Sequence, residues 1–465
     1  MPAGAGIVAS RYACIYFVTL ALCKGYLYPR VMSNPLSFFD TKKDSYLTVH
    51  QVAEELQISS DTVRRWNKRG LIKSRRNELN HRVFDLAEVK RVVAKTLGKS
   101  SGPNRFKILK RRKLSGYNVI DLFAGAGGTA LGLRNAGLSH ELLVELDRDA
   151  ASTLVVNMPR ATVINEDVSG IDFRKYRDSV DIVEAGFPCQ AFSYAGNKNG
   201  FDDTRGTLFF EFARCVNEVR PKIAIAENVR GLVNHDRGRT LRTMLRTMDE
   251  IGYNVTYKVL RSQYLDVPQK RERLIILAVK KELELPFLYP IEKDYTISLG
   301  EALEGVPDSE GQNYSEKKLR ILDMVPEGGY WRDLPIDVQK EYMGASFYLG
   351  GGKTGMARRL SWDEPSLTIV CSPAQKQTER CHPSETRPLT VRESARIQTF
   401  PDSWKFEGSV SSQYKQIGNA VPVNLGFHVG EAAIAMLNGS WDESKFTLEE
   451  RREPATQLPL DLVAQ

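Results

Sequence analysis

The sequence predicts an α/β fold with a largely parallel central sheet, and three features lead to that prediction. Residues 118–123 form a short apolar strand that runs into the glycine-rich turn 124–128 and a following helix. Residues 181–184 and 221–226 are two further apolar strands, and each ends next to a polar or reactive residue. Strand-like and helical segments alternate to about residue 280, which is typical of βαβ units with parallel strands.

Cys189 and Glu227 stand directly after two of these predicted strands. Cys189 belongs to the segment Gly-Phe-Pro-Cys-Gln that follows strand 181–184, and Glu227 follows strand 221–226. Parallel α/β sheets keep their sites at the carboxyl ends of the strands, so we expect the thiol and the carboxylate to meet there. An isolated cysteine is more often a small buried apolar side chain, and it is the company of Glu227 that favours a reactive role.

Length, charge and cysteine usage limit the class of protein. A chain of 465 residues is long enough for two or three domains. The formal net charge of +8 favours a polyanionic partner, although many basic proteins bind no nucleic acid. None of the six cysteines belongs to a Cys-x-x-Cys pair, and no histidine cluster accompanies them. We therefore expect neither a metal site nor a disulfide framework, and free thiols fit a reducing cytoplasm.

Residues 1–43 are predicted to be an extension rather than a domain. The apolar run at 13–23 resembles the core of a signal peptide, but it is too short for a membrane span. An intracellular reading of the rest of the chain contradicts export. We therefore expect translation to start at Met32, so that residues 1–31 do not belong to the natural protein.

Residues 44–97 are predicted to form a DNA-binding helix-turn-helix. A helical pattern begins at Tyr46, and a turn separates it from a second short helix over 62–69. The second helix of such a motif enters the major groove of DNA. The basic residues expected to contact DNA from this helix are Arg64, Arg65 and Lys68.

A small wing is predicted to follow this pair of helices. Residues 71–73 and 82–84 are its expected strands, and Asp85 is the expected cap of a third helix. The pattern resembles the winged-helix domains of the excisionase and MerR type. The alternative is a helical protein-interaction module with a solvated basic face, and the clustering of basic residues on one side favours DNA.

Residues 98–115 form a basic linker, and residues 116–290 contain the predicted sheet. Basic linkers are most often merely solvated, but this one lies between two predicted DNA-binding parts and could touch phosphates. A second strand ends at Glu145, where nucleotide-binding α/β folds hold a ribose. A third strand ends near Asp167, which could accept a hydrogen bond from an adenine amino group.

The regular alternation fails between residues 291 and 386. We expect a separate, irregular domain there, rich in glycine and aromatic residues. Helical order resumes over 387–437 and ends in a closing helix. The remaining residues, 438–465, are predicted to be a charged and loosely ordered tail.

Taken in order, these segments resemble the DNA (cytosine-5)-methyltransferases of bacterial restriction–modification systems. Pro-Cys-Gln alone would be a weak match, but the ordered set is specific and covers roughly residues 116–437. The matching segments are 121–128, 186–190, 227–229, 269–273, 387–401 and 416–422. The resemblance implies a Rossmann-like, S-adenosylmethionine-dependent catalytic domain at 116–290. It also implies a target recognition domain at 291–386 and a C-terminal return to the catalytic domain at 387–437.

The resemblance implies covalent catalysis on a cytosine flipped out of the DNA stack. The thiolate of Cys189 would add to carbon 6, after which carbon 5 can take the methyl group of S-adenosylmethionine. Glu227 would bind ring nitrogen 3 and the exocyclic amine. Arg273, together with Arg271, would hold the carbonyl oxygen of the base and the loop around Cys189.

S-adenosylmethionine is the cofactor that the resemblance implies. Glu145 would bind its ribose hydroxyls, Asp167 its adenine, and Leu208 would pack nearby. Asn419 matches an asparagine that returns from the far end of the chain to the catalytic core. The residues expected to line the cofactor are Phe123, Gly125, Gly127, Gly128, Glu145, Asp167, Leu208 and Asn419.

Three alternatives explain part of the pattern. The tRNA-methylating relatives of this family share the chemistry, but they have a Cys-Phe-Thr segment that this sequence lacks. A transcription regulator with an inert methyltransferase half would not need Cys189 and Glu227 together. A nicotinamide or flavin oxidoreductase accounts only for the glycine-rich turn.

The expected partner is double-stranded DNA, modified at a specific site by a cytoplasmic monomer that needs no membrane. A cognate restriction endonuclease would act on the same site without forming a stable complex. The N-terminal domain could regulate its own operon or add a second DNA contact. The recognised DNA sequence does not follow from these residues.

Overall fold

A computed structural model describes residues 46–55, 60–68, 72–77, 81–85, 89, 104–110, 113–188, 208–350 and 355–452. The predicted extension at 1–43 and most of the predicted third helix lie outside these residues. Cys189 also lies outside them, although the two residues that precede it are described.

The N-terminal domain has a three-stranded sheet and two helices in its described part. Its small sheet has the order β1-β3-β2, and a buried cluster around Val52, Val63 and Phe84 joins the sheet to the helices. The elements are β1 (Tyr46–Thr48), α1 (Val49–Glu55), α2 (Ser60–Lys68), β2 (Arg75–Arg76) and β3 (Arg82–Asp85).

Two predictions for this domain were wrong in detail. Tyr46 begins a strand rather than a helix, because it pairs antiparallel with Asp85 at the end of β3. The first strand of the wing is Arg75–Arg76 instead of 71–73. Ile72 is fully buried, and its carbonyl accepts a hydrogen bond from the side chain of Asn67, which keeps this segment out of the sheet.

A seven-stranded sheet forms the centre of the described chain from residue 113 onward. Its order is β6-β5-β4-β7-β8-β11-β9. Neighbours from β6 to β8 are parallel, which confirms the predicted α/β class, whereas β11 is antiparallel to both β8 and β9. The strands of this sheet are β4 (Asn118–Leu122), β5 (Ser139–Val144), β6 (Thr162–Ile164), β7 (Ile182–Ala185), β8 (Ile223–Val229), β9 (Tyr253–Arg261) and β11 (Glu272–Lys280). Between β9 and β11 the chain forms β10 (Gln269–Lys270), which is not part of this sheet and pairs with Ser366–Leu367.

Helices cover both faces of this sheet. α5 and α6 pack on one face, where their apolar residues join Ile120, Val183 and Ala226 in one cluster. α3 packs on the other face together with a long C-terminal helix. The helices interleaved with the strands are α3 (Gly128–Ala136), α4 (Arg148–Asn157), α5 (Leu208–Val219) and α6 (Arg239–Glu250).

The irregular region has its own apolar core around Trp331, Tyr342 and Cys381. It is tied to the sheet domain by the pairing of Gln269 with Ser366, which joins a short strand of the region to β10. The elements of this part are β12 (Phe287–Pro290), α7 (Leu299–Leu303), α8 (Glu316–Asp323), α9 (Ile336–Met343) and β13 (Ser366–Leu367).

The chain then returns to the sheet domain through α10 (Val391–Ile397), α11 (Val410–Asn419) and α12 (Val423–Asn438). α12 lies so close to α3 that a Cβ added to Gly132 would be 2.5 Å from the Val423 carbonyl oxygen. The stretch Val410–Asn438 is long and apolar enough to cross a membrane, but 83% of its apolar window is buried inside the protein. It therefore has the burial of a core helix.

The segment after α12 is more ordered than predicted. β14 (Phe446–Glu449) pairs antiparallel with β12, and Glu449 accepts a 2.5 Å hydrogen bond from Lys258 on β9. The expectation of a loose tail from about residue 440 was therefore wrong up to Arg452, whose backbone amide donates to the Val255 carbonyl. The reason is the unpaired edge of β12, which the tail covers.

The described part of the basic linker is fixed to the core. The Asn424 side chain of α12 donates to the Lys107 carbonyl at 2.9 Å and accepts from the Leu109 amide at 2.9 Å. Asn104 donates to Glu304 at 2.6 Å. The last residues of the linker thus belong structurally to the domain that follows.

Candidate active site

The predicted reactive residues meet at one edge of the central sheet. Leu122 and Ala185, the last residues of β4 and β7, are in register with Ala226 of β8. β8 continues to Val229, so Glu227 lies within this strand, whereas it had been predicted to follow the strand. Phe123 and Glu227, which follow Leu122 and Ala226, therefore lie at the same edge. This is the edge at which open α/β sheets bind their ligands.

Glu227 and Arg273 form an ion pair at this edge. Arg273 Nε lies 2.6 Å from Glu227 Oε1, and each side chain is 12% exposed. The antiparallel register of β8 and β11 brings them together. A Cβ added to Gly186 would be 3.6 Å from Glu227 Oε2, so the glutamate lies against the segment that leads into Cys189.

Asn228 holds that segment in place, and it was missed at the sequence level. Its side-chain amide donates a 2.9 Å hydrogen bond to the Phe187 carbonyl, two residues before Cys189, while its side-chain oxygen accepts from the Val229 amide at 2.9 Å. The residue is 3% exposed. The signal in the sequence that could have identified Asn228 was its position as an amide residue directly after the candidate acid Glu227.

Arg271 is oriented differently from Arg273. It is 2% exposed, and its two terminal nitrogens donate to the carbonyls of Ile369 at 3.3 Å and Gly418 at 3.1 Å. Burial, with the nearby charge of Arg273, lowers the pKa of Arg271 to about 9. Its side chain therefore joins the irregular region and the C-terminal return to the sheet edge.

Asn419 follows directly on Gly418 and reaches the same edge. It ends α11 with an exposed side chain, and its oxygen accepts from Cys371 Sγ at 3.0 Å. Because the neighbouring Gly418 carbonyl binds Arg271, the structure places this distant residue close to Arg271.

Glu145 and Gly125 meet beside the glycine-rich turn. Oε2 of Glu145 accepts from the Gly125 amide at 2.7 Å, and Oε1 accepts from the Asp147 amide at 2.7 Å. Burial raises the pKa of the Glu145 carboxyl, an effect that these amide donors oppose. A Cβ added to Gly125 would meet nothing within 4 Å, so there is open space over this part of the turn.

The other two glycines of the turn face protein rather than open space. Added Cβ atoms would meet Leu154 at 2.9 Å from Gly127, and the Val421 carbonyl from Gly128. Phe123, at the start of the turn, has a positive φ of 59° and is partly buried against the core. The close approach of residues 420–421, just before α12, thus explains Gly128 without a ligand.

Asp167 and Leu208 are two further residues expected to line the cofactor. Asp167 is exposed and caps a short 3-10 turn, where hydrogen bonds from Ser169 lower the pKa of its carboxyl. Leu208 begins α5 and packs partly on the core. Leu146, next to Glu145, is 66% exposed, and this apolar surface beside the predicted ribose acid was also missed from the sequence.

Two further acids lie buried behind the site. Asp121 on β4 and Glu184 on β7 are neighbours in register and at most 1% exposed. Neither Asp121 oxygen has a hydrogen-bond donor within the described part of the chain. Burial raises the pKa of Asp121 to about 7 and that of Glu184 well above its ordinary value, so the protonated forms of both carboxyls are favoured.

The N-terminal residues predicted to bind DNA are only partly described. Arg64 is exposed on α2, whereas the side chains of Arg65 and Lys68 on the same helix lie outside the described part. The wing adds further cations to this domain. Its exposed basic residues are Lys73, Arg75, Arg76 and Arg82.

Comparison with known proteins matches both parts of the chain. The model of the C-5 cytosine-specific DNA methylase family matches residues 117–435. The model of the MerR HTH family of regulatory proteins matches residues 47–94. These are the two segments for which the sequence had suggested a methyltransferase and a winged helix.

Relatives and solved structures agree with the family models. The Type II methyltransferase M.Eco47II of Escherichia coli is 55% identical over 403 residues, 84% of this chain and 96% of that protein. M.Sau96I of Staphylococcus aureus is 52% identical over 334 residues, 70% of this chain and 78% of that protein. A solved structure described as a prophage-encoded DNA modification methyltransferase of E. coli covers 70% of this chain and all of its own, with TM-score 0.51 and 25% identity.

Proposed function

The chain belongs to the family of C-5 cytosine-specific DNA methylases, and from that membership we propose how its residues perform the reaction. The protein is a DNA (cytosine-5)-methyltransferase of the restriction–modification type that acts on double-stranded DNA. The observation that supports the assignment of catalytic roles best is the Glu227–Arg273 pair beside the segment that enters Cys189.

Cys189 is the nucleophile in this proposal. Its thiolate adds to carbon 6 of the flipped cytosine, and the electron pair released into the ring lets carbon 5 attack the methyl group of S-adenosylmethionine. Removal of the proton from carbon 5 then expels the cysteine sulfur and restores the aromatic base. The hydrogen bond from Asn228 to the Phe187 carbonyl supports this role, because it fixes the backbone that leads to the thiol.

Glu227 binds the base and supplies a proton to ring nitrogen 3, which offsets the negative charge that thiolate addition places on the ring. Arg273 is the matching donor for the carbonyl oxygen of the base. Its guanidinium has a donor left for that oxygen, since Nε lies in the ion pair with Glu227 and Nη1 donates to the Glu272 carbonyl. Arg271 acts less directly in this proposal, by holding the backbone around the pocket.

S-adenosylmethionine, the methyl donor of this family, fits the space over Gly125. The carboxylate of Glu145 is held at that space by two backbone amides, which leaves its remaining lone pairs for ribose hydroxyls. Asp167 accepts from the adenine amino group, and the exposed side chain of Leu146 covers part of the adenine face. Phe123, Leu208 and Asn419 complete the lining of the site.

The irregular region supplies target recognition. The protein modifies the DNA site that a cognate restriction endonuclease cuts, and the two proteins do not form a stable complex. The separate core of the irregular region supports a unit that can vary in sequence while the sheet domain stays fixed. We further propose that the enzyme works as a monomer in the cytoplasm. The winged helix binds DNA through Arg64, Arg65 and Lys68.

Labelled S-adenosylmethionine and mixed-sequence duplex DNA provide the direct test. After incubation with the protein, sequencing for 5-methylcytosine should give one short recurring motif. A parallel reaction with RNA as acceptor separates the tRNA-type alternative. Label in RNA with none in DNA would overturn the proposal, and label in neither would favour a regulator with an inert methyltransferase half.

A further inference from the structure

The end of β9 lies at the same edge of the sheet as the catalytic residues. On β11, Arg273 is paired with Val229 of β8 on one side and with Leu260 of β9 on the other. Arg261, the last residue of β9, is therefore one position away from Arg273 in this register. Strands are spaced by about 4.8 Å, so β9 is roughly 10 Å from the strand of Glu227.

Arg261 connects this edge to the N-terminal domain. Its Nη2 lies 3.1 Å from Asp85 Oδ2 at the end of the wing strand β3, and its Nε donates to Glu292 at 2.7 Å. The side chains of Arg261, Asp85 and Glu292 are 33%, 21% and 20% exposed. This half-buried cluster places the wing beside the catalytic edge rather than behind the sheet.

The wing presents a cationic surface next to this contact. Arg75 lies over the ring of Tyr46 with 3.2 Å between its guanidinium carbon and the ring centroid, and Tyr46 is the register partner of Asp85. Lys73, Arg76 and Arg82 are exposed on the same small wing. Grouped exposed cations at a domain edge are what a phosphate backbone attracts.

We propose that this wing binds the phosphates of the same duplex from which the catalytic domain takes its cytosine. The inference rests on the proposed DNA methylation and commits the winged helix to a contact made during that reaction. The roughly 10 Å between β8 and β9 is short beside one helical turn of DNA, about 34 Å. A duplex entering the active site therefore passes within reach of the wing.

The test compares two substrates and two sets of substitutions in the full-length protein. One duplex of about 12 base pairs contains little more than the methylation site, and another of about 35 base pairs extends at least one turn to each side. The wing variant combines Lys73→Ala with Arg82→Ala. The control variant combines Lys175→Ala with Arg177→Ala, two exposed cations that precede β7 and so lie toward the opposite edge of the sheet.

The wing variant should raise the KM for the long duplex about 10-fold and leave its kcat unchanged. The slope of log KM against log salt should fall by about 2, one unit for each lost phosphate contact. KM for the short duplex should rise less than KM for the long duplex, because the short duplex offers the wing fewer phosphates. Both values for the control variant should not change.

An unchanged KM and salt slope for the wing variant on the long duplex would overturn the inference. The inference would also be overturned if the wing variant lost binding to a separate DNA site while its methylation kinetics stayed the same. The N-terminal domain would then bind a different DNA molecule. Absence of methylation by the unsubstituted protein on both duplexes would count against the proposed function instead. Equal melting temperatures of all variants show that the substitutions leave the fold intact.

Discussion

Glu227 on β8 and Arg273 on β11 form an ion pair from positions two residues apart in register, with Arg273 Nε 2.6 Å from Glu227 Oε1. A cytosine in this position would have its ring nitrogen 3 at Glu227 and its carbonyl oxygen at Arg273, so it would meet both members of the pair at once. The two residues are thus expected to act as one unit rather than as separate contacts.

Replacing Arg273 by Ala and Glu227 by Gln tests that unit. Each single change should lower kcat/KM by about 100-fold or more, because each removes a group that acts on the transition state. The double variant should lose much less than the product of the two effects. Single-turnover methylation of a defined duplex gives the four rates, and strictly multiplicative losses would contradict a coupled pair.

Cys189→Ser should abolish methyl transfer while cofactor binding survives. An alcohol is a far weaker nucleophile than a thiolate toward carbon 6, so we expect a loss on the order of 10³-fold or more. Calorimetry with S-adenosylmethionine measures the affinity, and labelled transfer measures the rate. Cys371→Ser, at an exposed thiol, is the matched control, and full turnover by Cys189→Ser would refute the covalent role.

Asn228→Asp keeps the shape of the side chain but removes the donor to the Phe187 carbonyl. Displacing the segment before Cys189 should lower kcat by about 10- to 100-fold. Affinity for S-adenosylmethionine should stay the same, since Asn228 is not among the groups around Gly125. If affinity and kcat fell together, a general loss of structure would explain the result better, and a melting curve would identify it.

The buried pair of Asp121 and Glu184 makes stability depend on pH. In the unfolded chain Asp121 loses its proton above its ordinary pKa of 3.8. In the folded chain its pKa is about 7, so the proton is kept until the pH approaches 7. Stability should therefore fall as pH rises from about 4 to about 7. Asp121→Asn should raise the apparent Tm at pH 7.5 and change it little at pH 4.

Thermal melts at a fixed scan rate, taken at both pH values, measure this effect. Asp308→Asn is the control, because Asp308 is exposed and its replacement should leave Tm unchanged at both pH values. A steeper pH dependence in Asp121→Asn than in the unsubstituted protein would show that the buried pair is not the source.

Truncation should distinguish the linker from the winged helix. Removing residues 1–103 keeps the segment that bonds to Asn424 and Glu304, so methylation of a short duplex should remain close to full activity. Removing residues 1–115 deletes those bonds and leaves the buried Asn424 side chain with fewer partners, so Tm should fall while methylation stays detectable. Complete loss of methylation after removal of residues 1–103 would show that the winged helix is part of the catalytic unit.

Local patterns were enough to predict the sheet and the placement of Glu227, because strand periodicity and chain order determine which ends share an edge. The family matches confirm the methyltransferase and the N-terminal helix-turn-helix. The roles of Cys189 and the cofactor residues stay predictions. Long-range bonds could not be inferred from the sequence, since the carbonyls bound by Arg271 lie 98 and 147 residues away.

The errors had the same origin. Tyr46 was expected in a helix and Phe446–Glu449 in a loose tail, yet each pairs with a strand that is distant in sequence. Hydrophobic periodicity describes neighbours along the chain, and it has no information about an open strand edge elsewhere. Pairing with an open strand edge made both segments strands.

The hold of Arg271 on Ile369 and Gly418 has a consequence for how new specificities arise. Both of its partners are main-chain carbonyls, which every amino acid offers alike. Recognition segments of unrelated sequence could therefore be exchanged between relatives by recombination and still be fastened to the same scaffold. An enzyme whose recognition segment is held by main-chain contacts can change the DNA sequence it recognises while its catalytic residues stay the same.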